Sequence, residues 1–175
     1  MHIFKTRKSG VFAATLLPIL GWVTAVVPVS AGQADAETVV RGFLRDVRAG
    51  RDPDAASRYF SETVAAHQIQ SEGVTTVRRT PVEYAAHVRE FLATYGAYTF
   101  EIEELIAAGD RVFVRWRQTG RHLRSIDGEM PSGRPLIELT SAVYRVSGGR
   151  IVEYWIQIDR KGLELQLADE SRAAQ

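Results

Sequence analysis

Apolar residues change their spacing along this chain, and each change marks a structural unit. Residues 11 to 29 form a largely apolar run without a charge, preceded by Lys5, Arg7 and Lys8. From Glu37 to Ala49 the apolar positions Val39, Val40, Phe43, Leu44 and Val47 fall on one side of a helix, which Gly50 closes. Asp52-Pro53 predicts a second short helix, with Asp52 as cap and proline in the first turn. Val64 to Gln70 reads as a short strand, followed by a polar stretch through Arg79. Thr80-Pro81-Val82-Glu83 is a capping box that starts a helix running to about Tyr95. The apolar stripe of that helix is Tyr84, His87, Val88, Phe91, Leu92 and Tyr95.

From Tyr98 onward the period becomes two. Strands are predicted over about 98–108, 111–123, 135–146 and 150–158, the first pair joined at Gly109-Asp110 and the last at Ser147-Gly148-Gly149. Asp159 then caps a final helix carrying Leu163, Leu165 and Leu167. Helices first and an antiparallel meander afterwards make an α+β fold, with helices packed on one face of a curved sheet.

The opening segment has the three parts of a secretory signal: a basic start, an apolar run, and small residues at Val29-Ser30-Ala31. The expected organisation is therefore a signal peptide over 1–31 and one domain over 32–175. An uncleaved membrane anchor is the competing reading, weakened by Pro18, Gly21 and Pro28 within the run. Three of the 22 basic residues and none of the 21 acidic ones lie in this segment, so the remainder is acidic by two charges. That composition gives no footprint for nucleic acid. The absence of cysteine excludes disulfides, thiolate metal sites and a cysteine nucleophile. An export signal without disulfides suits a bacterial periplasm or exterior, with no stable membrane association once the signal is removed.

The words Ala108-Gly109-Asp110-Arg111-Val112, Arg115-Trp116, Thr119-Gly120-Arg121-His122, Met130-Pro131-Ser132-Gly133-Arg134, Tyr144-Arg145-Val146 and Gly149-Arg150-Ile151-Val152-Glu153-Tyr154-Trp155, in this order, resemble the SnoaL-like family of the nuclear transport factor 2-like superfamily. Asp159 and the leucines from 163 to 167 continue the likeness, which spans about residues 37–168. The resemblance implies an NTF2-like cone of four or five strands with about three N-terminal helices, a short C-terminal helix and an internal pocket, often as a homodimer through the sheet. The activity it implies is polyketide cyclisation by intramolecular aldol closure, although many relatives only bind.

An aldol closure needs a base to take a proton next to a carbonyl and an acid to return one to oxygen. The family's His-Trp-Asp triplet falls on Tyr154, Trp155 and Ile156, and its second histidine on Ala142. The resemblance thus implies that the cyclase acid/base set is missing. Asp159 reads as a helix cap rather than a replacement acid. The pocket residues expected from parity and resemblance are His67, His87, Trp116, Gln118, His122, Tyr144, Tyr154 and Ile156. No two histidines stand at a ligand spacing, so no metal and no cofactor are expected. The row Arg115, Arg117 and Arg121 reads as a solvated or dimer-facing surface.

Three functions remain open on these grounds. The first is an exported domain binding a small hydrophobic molecule. The second is a cyclase, isomerase or hydrolase using the pocket histidines, and the third is a non-enzymatic dimeric interaction module.

Overall fold

The structure is a computed structural model that describes residues 31–173, with side-chain environments from 35 to 169. The expected signal segment lies outside the described residues except for Ala31, where the first helix begins. Helix α1 (Ala31–Phe43) runs into one wider, π-helical turn over Leu44–Arg48. Gly50, at φ +75, closes it: its N–H reaches Val47 O at 2.9 Å. A single 3-10 turn (Pro53–Ala55) and α2 (Ala56–Tyr59) follow. Asp52 does not cap them with its side chain, as the sequence had implied. Its carboxylate pairs instead with Arg58 at 2.7 Å.

Strands β1 (Phe60–Gln70) and β2 (Gly73–Arg79) form a hairpin, then α3 (Pro81–Tyr95) crosses to the meander β3 (Thr99–Ala108), β4 (Arg111–Arg121), β5 (Pro135–Ser147) and β6 (Arg150–Ile158), closed by α4 (Arg160–Ala173). The expected box at Thr80 is present: its hydroxyl accepts from Glu83 N–H, and Glu83 accepts from Thr80 N–H at 2.7 Å. Asp159 caps α4, with Oδ1 accepting from Gly162 N–H at 2.9 Å.

One six-stranded sheet has the order β2-β1-β6-β5-β4-β3. Pairing is antiparallel except between β1 and β6, which run parallel because the helix α3 and the meander separate them in the chain. Register shifts between Ile102 and Glu104 and between Arg145 and Val146 bend the strands and curl the sheet. The stretch read only as polar is β2, an exposed edge strand.

The concave face packs on α1 and α3. On β4, Val112, Val114, Trp116, Gln118 and Gly120 point inward, while Arg111, Arg115 and Arg121 face solvent. The core is aromatic. Phe43 lies 4.9 Å from Phe60, 5.4 Å from Tyr84 and 5.5 Å from Tyr144, ring centre to ring centre. Burial of each such ring stabilises by roughly 2 kcal/mol, and stacked, tilted and edge-on contacts among them fix the helices on the sheet. Helix α4 ties down β5 beyond the end of β6. The Gln166 amide donates to Ile137 O and accepts from Ile137 N–H, both at 2.9 Å, replacing the missing strand neighbour.

Candidate functional site

Period-two alternation decides which side chains reach the interior, and on β6 it turns Tyr154, Ile156 and Ile158 to the concave side. Helix α3, held by its capping box, faces them with Tyr84, His87 and Phe91 at intervals of three and four. Between the two lies a cavity of about 100 Å³. Gln68, Ile69, Arg79 and Arg160 form its rim and Arg48 closes the inner end. A broader depression of about 460 Å³ near the β1–β2 turn is open to solvent and walled by Glu72, Arg115, Asp159 and Lys161. Its charged, open walls suit a hydrated surface more than a ligand site.

Arg48 is the central side chain. It continues the inward stripe Val40, Leu44 at the next turn, and is buried, only 5% exposed. Its guanidinium stacks on Phe91 at 4.6 Å and Trp116 at 5.4 Å, so it separates the cavity from a second, polar group of residues. In that group Nη2 of Arg48 meets Glu138 Oε1 at 3.4 Å, and Thr140 donates to the same oxygen at 3.1 Å. Burial pushes the Glu138 carboxyl above its usual range, with Arg48, Thr140 and Tyr95 opposing the rise. Trp116 Nε1, both amide atoms of Gln118 and Nη1 of Arg48 are buried without a hydrogen-bond partner.

The expected pocket residues divide into four groups. His87, Tyr154 and Ile156 line the cavity. Trp116, Gln118 and His122 are buried along the inner face of β4 and just beyond it, next to or past Arg48. Tyr144 is packed within the aromatic core against Phe43 and Tyr154. His67 does not join them. Val64 and Ala66 take the inward positions on β1, so His67 turns to the convex face, stacks on Trp155 at 5.0 Å and bonds Glu153 at 2.9 Å. The histidines therefore do not converge on one pocket. The arginine row is outward, and two of its members are occupied: Arg115 and Arg117 pair with Glu103 at 3.3 and 3.0 Å.

Ala142 and Ile156 are direct partners across β5 and β6, and Tyr144 and Tyr154 form the next inward pair. The positions where the resemblance places proton-moving groups thus carry hydrocarbon at Ala142 and Ile156 and a phenol at Tyr154, and of these Tyr154 and Ile156 line the cavity. Burial raises the Tyr154 hydroxyl above its ordinary value. His87 moves the other way: burial, with Arg79 and Arg48 adding, lowers its ring to about 4. It is neutral at pH 7 and a weak base there. Among the described residues no cluster of His, Cys, Asp and Glu could hold a metal ion.

Sequence reasoning missed Arg48 and Glu138. The signal for Glu138 was present, since it shares parity with Leu136, Thr140, Ala142 and Tyr144 on a strand whose inward positions are otherwise uncharged. Arg48 also falls in register with Leu44 and Val40, four and eight residues earlier, but a charged residue on an apolar stripe is read as its end rather than its continuation.

The profile of the family described as SnoaL-like polyketide cyclase matches residues 38–167. No curated protein sequence matches the chain. Among solved structures, a proposed polyketide cyclase from Acidithiobacillus ferrooxidans superimposes with a TM-score of 0.68 at 24% identity, covering 81% of this chain and 99% of that one. TsrD from Streptomyces laurentii gives 0.64 at 21% identity, with 79% and 98% covered. An LEH-like epoxide hydrolase from M. tuberculosis gives 0.57 at 18%, with 81% and 96% covered. At these identities the likeness establishes the fold alone.

Proposed function

Since this chain belongs to the SnoaL-like polyketide cyclase family, we propose that it is an exported domain whose cavity binds a small, mostly apolar molecule without the family's acid/base chemistry. One observation carries the reading. The cavity is walled by Tyr84, Phe91, Tyr154, Ile156 and Ile158, and hydrocarbon stands at Ile156 and at its strand partner Ala142, where the family resemblance places an acid and a histidine. An engineered cavity of about 150 Å³ takes up benzene. At about 100 Å³ this cavity is smaller, so a ring-sized body would extend through its open rim.

A cyclase-type enzyme is the second reading, favoured by His87 in the cavity wall. A base is most effective with its pKa near the working pH, and a ring held at about 4 is far from it. Glu138, the buried carboxylate, does not line the cavity and is held by Arg48. Both facts support binding over turnover.

Titration with benzyl alcohol tests the site. The wild-type protein is expected to bind it, and Ile156→Trp, which fills the cavity, to lose at least about tenfold in affinity, since one lost apolar contact surface of this size is worth more than 1.4 kcal/mol. Undiminished binding by the filled variant would place the ligand elsewhere.

The same proposal includes export to the periplasm or exterior, with the signal removed near Ala31, and a homodimer through the convex face of the sheet. That face carries Arg145, Glu153 and Trp155, partly buried within the single chain. Protein recovered from outside the cytoplasm should begin near Gly32 by intact mass and scatter light as a dimer at micromolar concentration. Retention of residues 1–31 in a membrane fraction would contradict export, and a monomer would contradict the dimer.

A further inference from the structure

We propose that the cavity selects an anion, a carboxylate on a compact apolar body, with Arg48 and Arg79 receiving the charged end. This rests on the small-molecule reading above and names the class of molecule.

The cavity wall is cationic on one side. Arg48, Arg79 and Arg160 line it, and no acidic side chain does so among the described residues. Arg48 is more than nine-tenths buried, and only Nη2 is engaged by Glu138; Nη1 has no partner. Arg79 Nε is likewise buried and without a partner. Glu83 acts on Arg79, but its carboxylate is committed to the capping box, 2.7 Å from Thr80 N and 3.0 Å from Thr80 Oγ1. A guanidinium cannot shed its proton, so these N–H groups need acceptors rather than a change of charge state. An unbonded N–H of a buried cation is costly, and a carboxylate oxygen is the acceptor whose charge and planar geometry answer it best.

The field inside the cavity agrees. After burial, the two causes that lower the His87 ring are Arg79 and Arg48, so both guanidinium charges are felt at the opposite wall. A neutral ligand would fill the apolar part and leave that field unbalanced. The hydrocarbon residues Ile156 and Ile158, with the rings of Tyr84 and Phe91, receive the apolar body.

The test compares benzoate with benzamide, which share size and shape and differ in charge, by calorimetric titration of the purified protein at pH 7. Benzoate is expected to bind at least tenfold more tightly, and the His87 titration followed by NMR should shift upward with benzoate and stay in place with benzamide. Arg79→Met should shrink the preference at least threefold. Equal affinities would overturn the anion inference and leave the small-molecule reading standing. Failure of both probes to bind would overturn both. A preference undiminished in Arg79→Met would overturn the assignment of the charged end to this pair.

Discussion

Gly120→Ala should destabilise the protein on the order of 3 kcal/mol, the upper part of the range for overpacking a buried site. Gly120 occupies an inward position on β4, directly against the C-terminal end of α3. A Cβ there would stand 2.7 Å from Tyr95 Cβ and 2.7 Å from Tyr95 O. The carbonyl is backbone and cannot rotate away, so the helix end must lift. Helix α3 also carries Tyr84, His87 and Phe91, so the same shift should loosen one cavity wall and weaken uptake of a small probe. Gly109→Ala is the control. Nothing lies within 4 Å of its added Cβ, and only the φ of +60 is strained, a cost of roughly 1 kcal/mol. Chemical denaturation of the two variants should therefore separate steric from conformational cost. Equal losses would mean that the helix end does not sit against the strand.

Arg48→Met should cost about 3–5 kcal/mol at neutral pH, the range for removing one partner of a buried ion pair. The variant removes the stacking on Phe91 and Trp116 and leaves Glu138 in a dry site without its cation. The pH dependence has a definite sign. The folded-state pKa of Glu138 is already raised, so its contribution is most favourable below the ordinary carboxylate range of about 4 and declines as pH rises toward the folded value. Without Arg48 that folded value rises further. The loss on Arg48→Met should therefore be smallest near pH 4 and grow toward neutrality. Adding Glu138→Leu should recover much of it, because an apolar pair can replace a buried ion pair. Urea denaturation of the wild type and the single and double variants from pH 4 to 8 reads both effects. A loss independent of pH would show that Glu138 does not depend on Arg48.

The regularity of this fold explains what could be read from the chain. The meander was legible because its strands alternate: β5 carries Leu136, Thr140, Ala142, Tyr144 and Val146 inward, and the turn at Gly148 and Gly149 has φ of +57 and +71 that glycine adopts freely. Helix α3 was legible from its capping box. Strand β2 was not, because an edge strand exposed along its length has no buried face to imprint a pattern. His67 was misplaced for a related reason. Strand β1 was read only from Val64 and without its register, and a shift of one residue exchanges the faces. The inward face of β6 was legible from Tyr154 onward, which is why Tyr154 and Ile156 were placed on it. The cationic side of the cavity was not, since Arg48, Arg79 and Arg160 come from three separate segments.

The central claim is that an apolar molecule enters between α3 and β6. A crystal structure of the protein soaked with bromobenzene tests it directly, because the bromine can be located by its anomalous signal. The account predicts a peak within the cavity, bounded by Tyr84, Phe91 and Ile156, that disappears in Ile156→Trp. Bromine bound only on the convex face of the sheet, with the cavity closed by its own side chains, would contradict it.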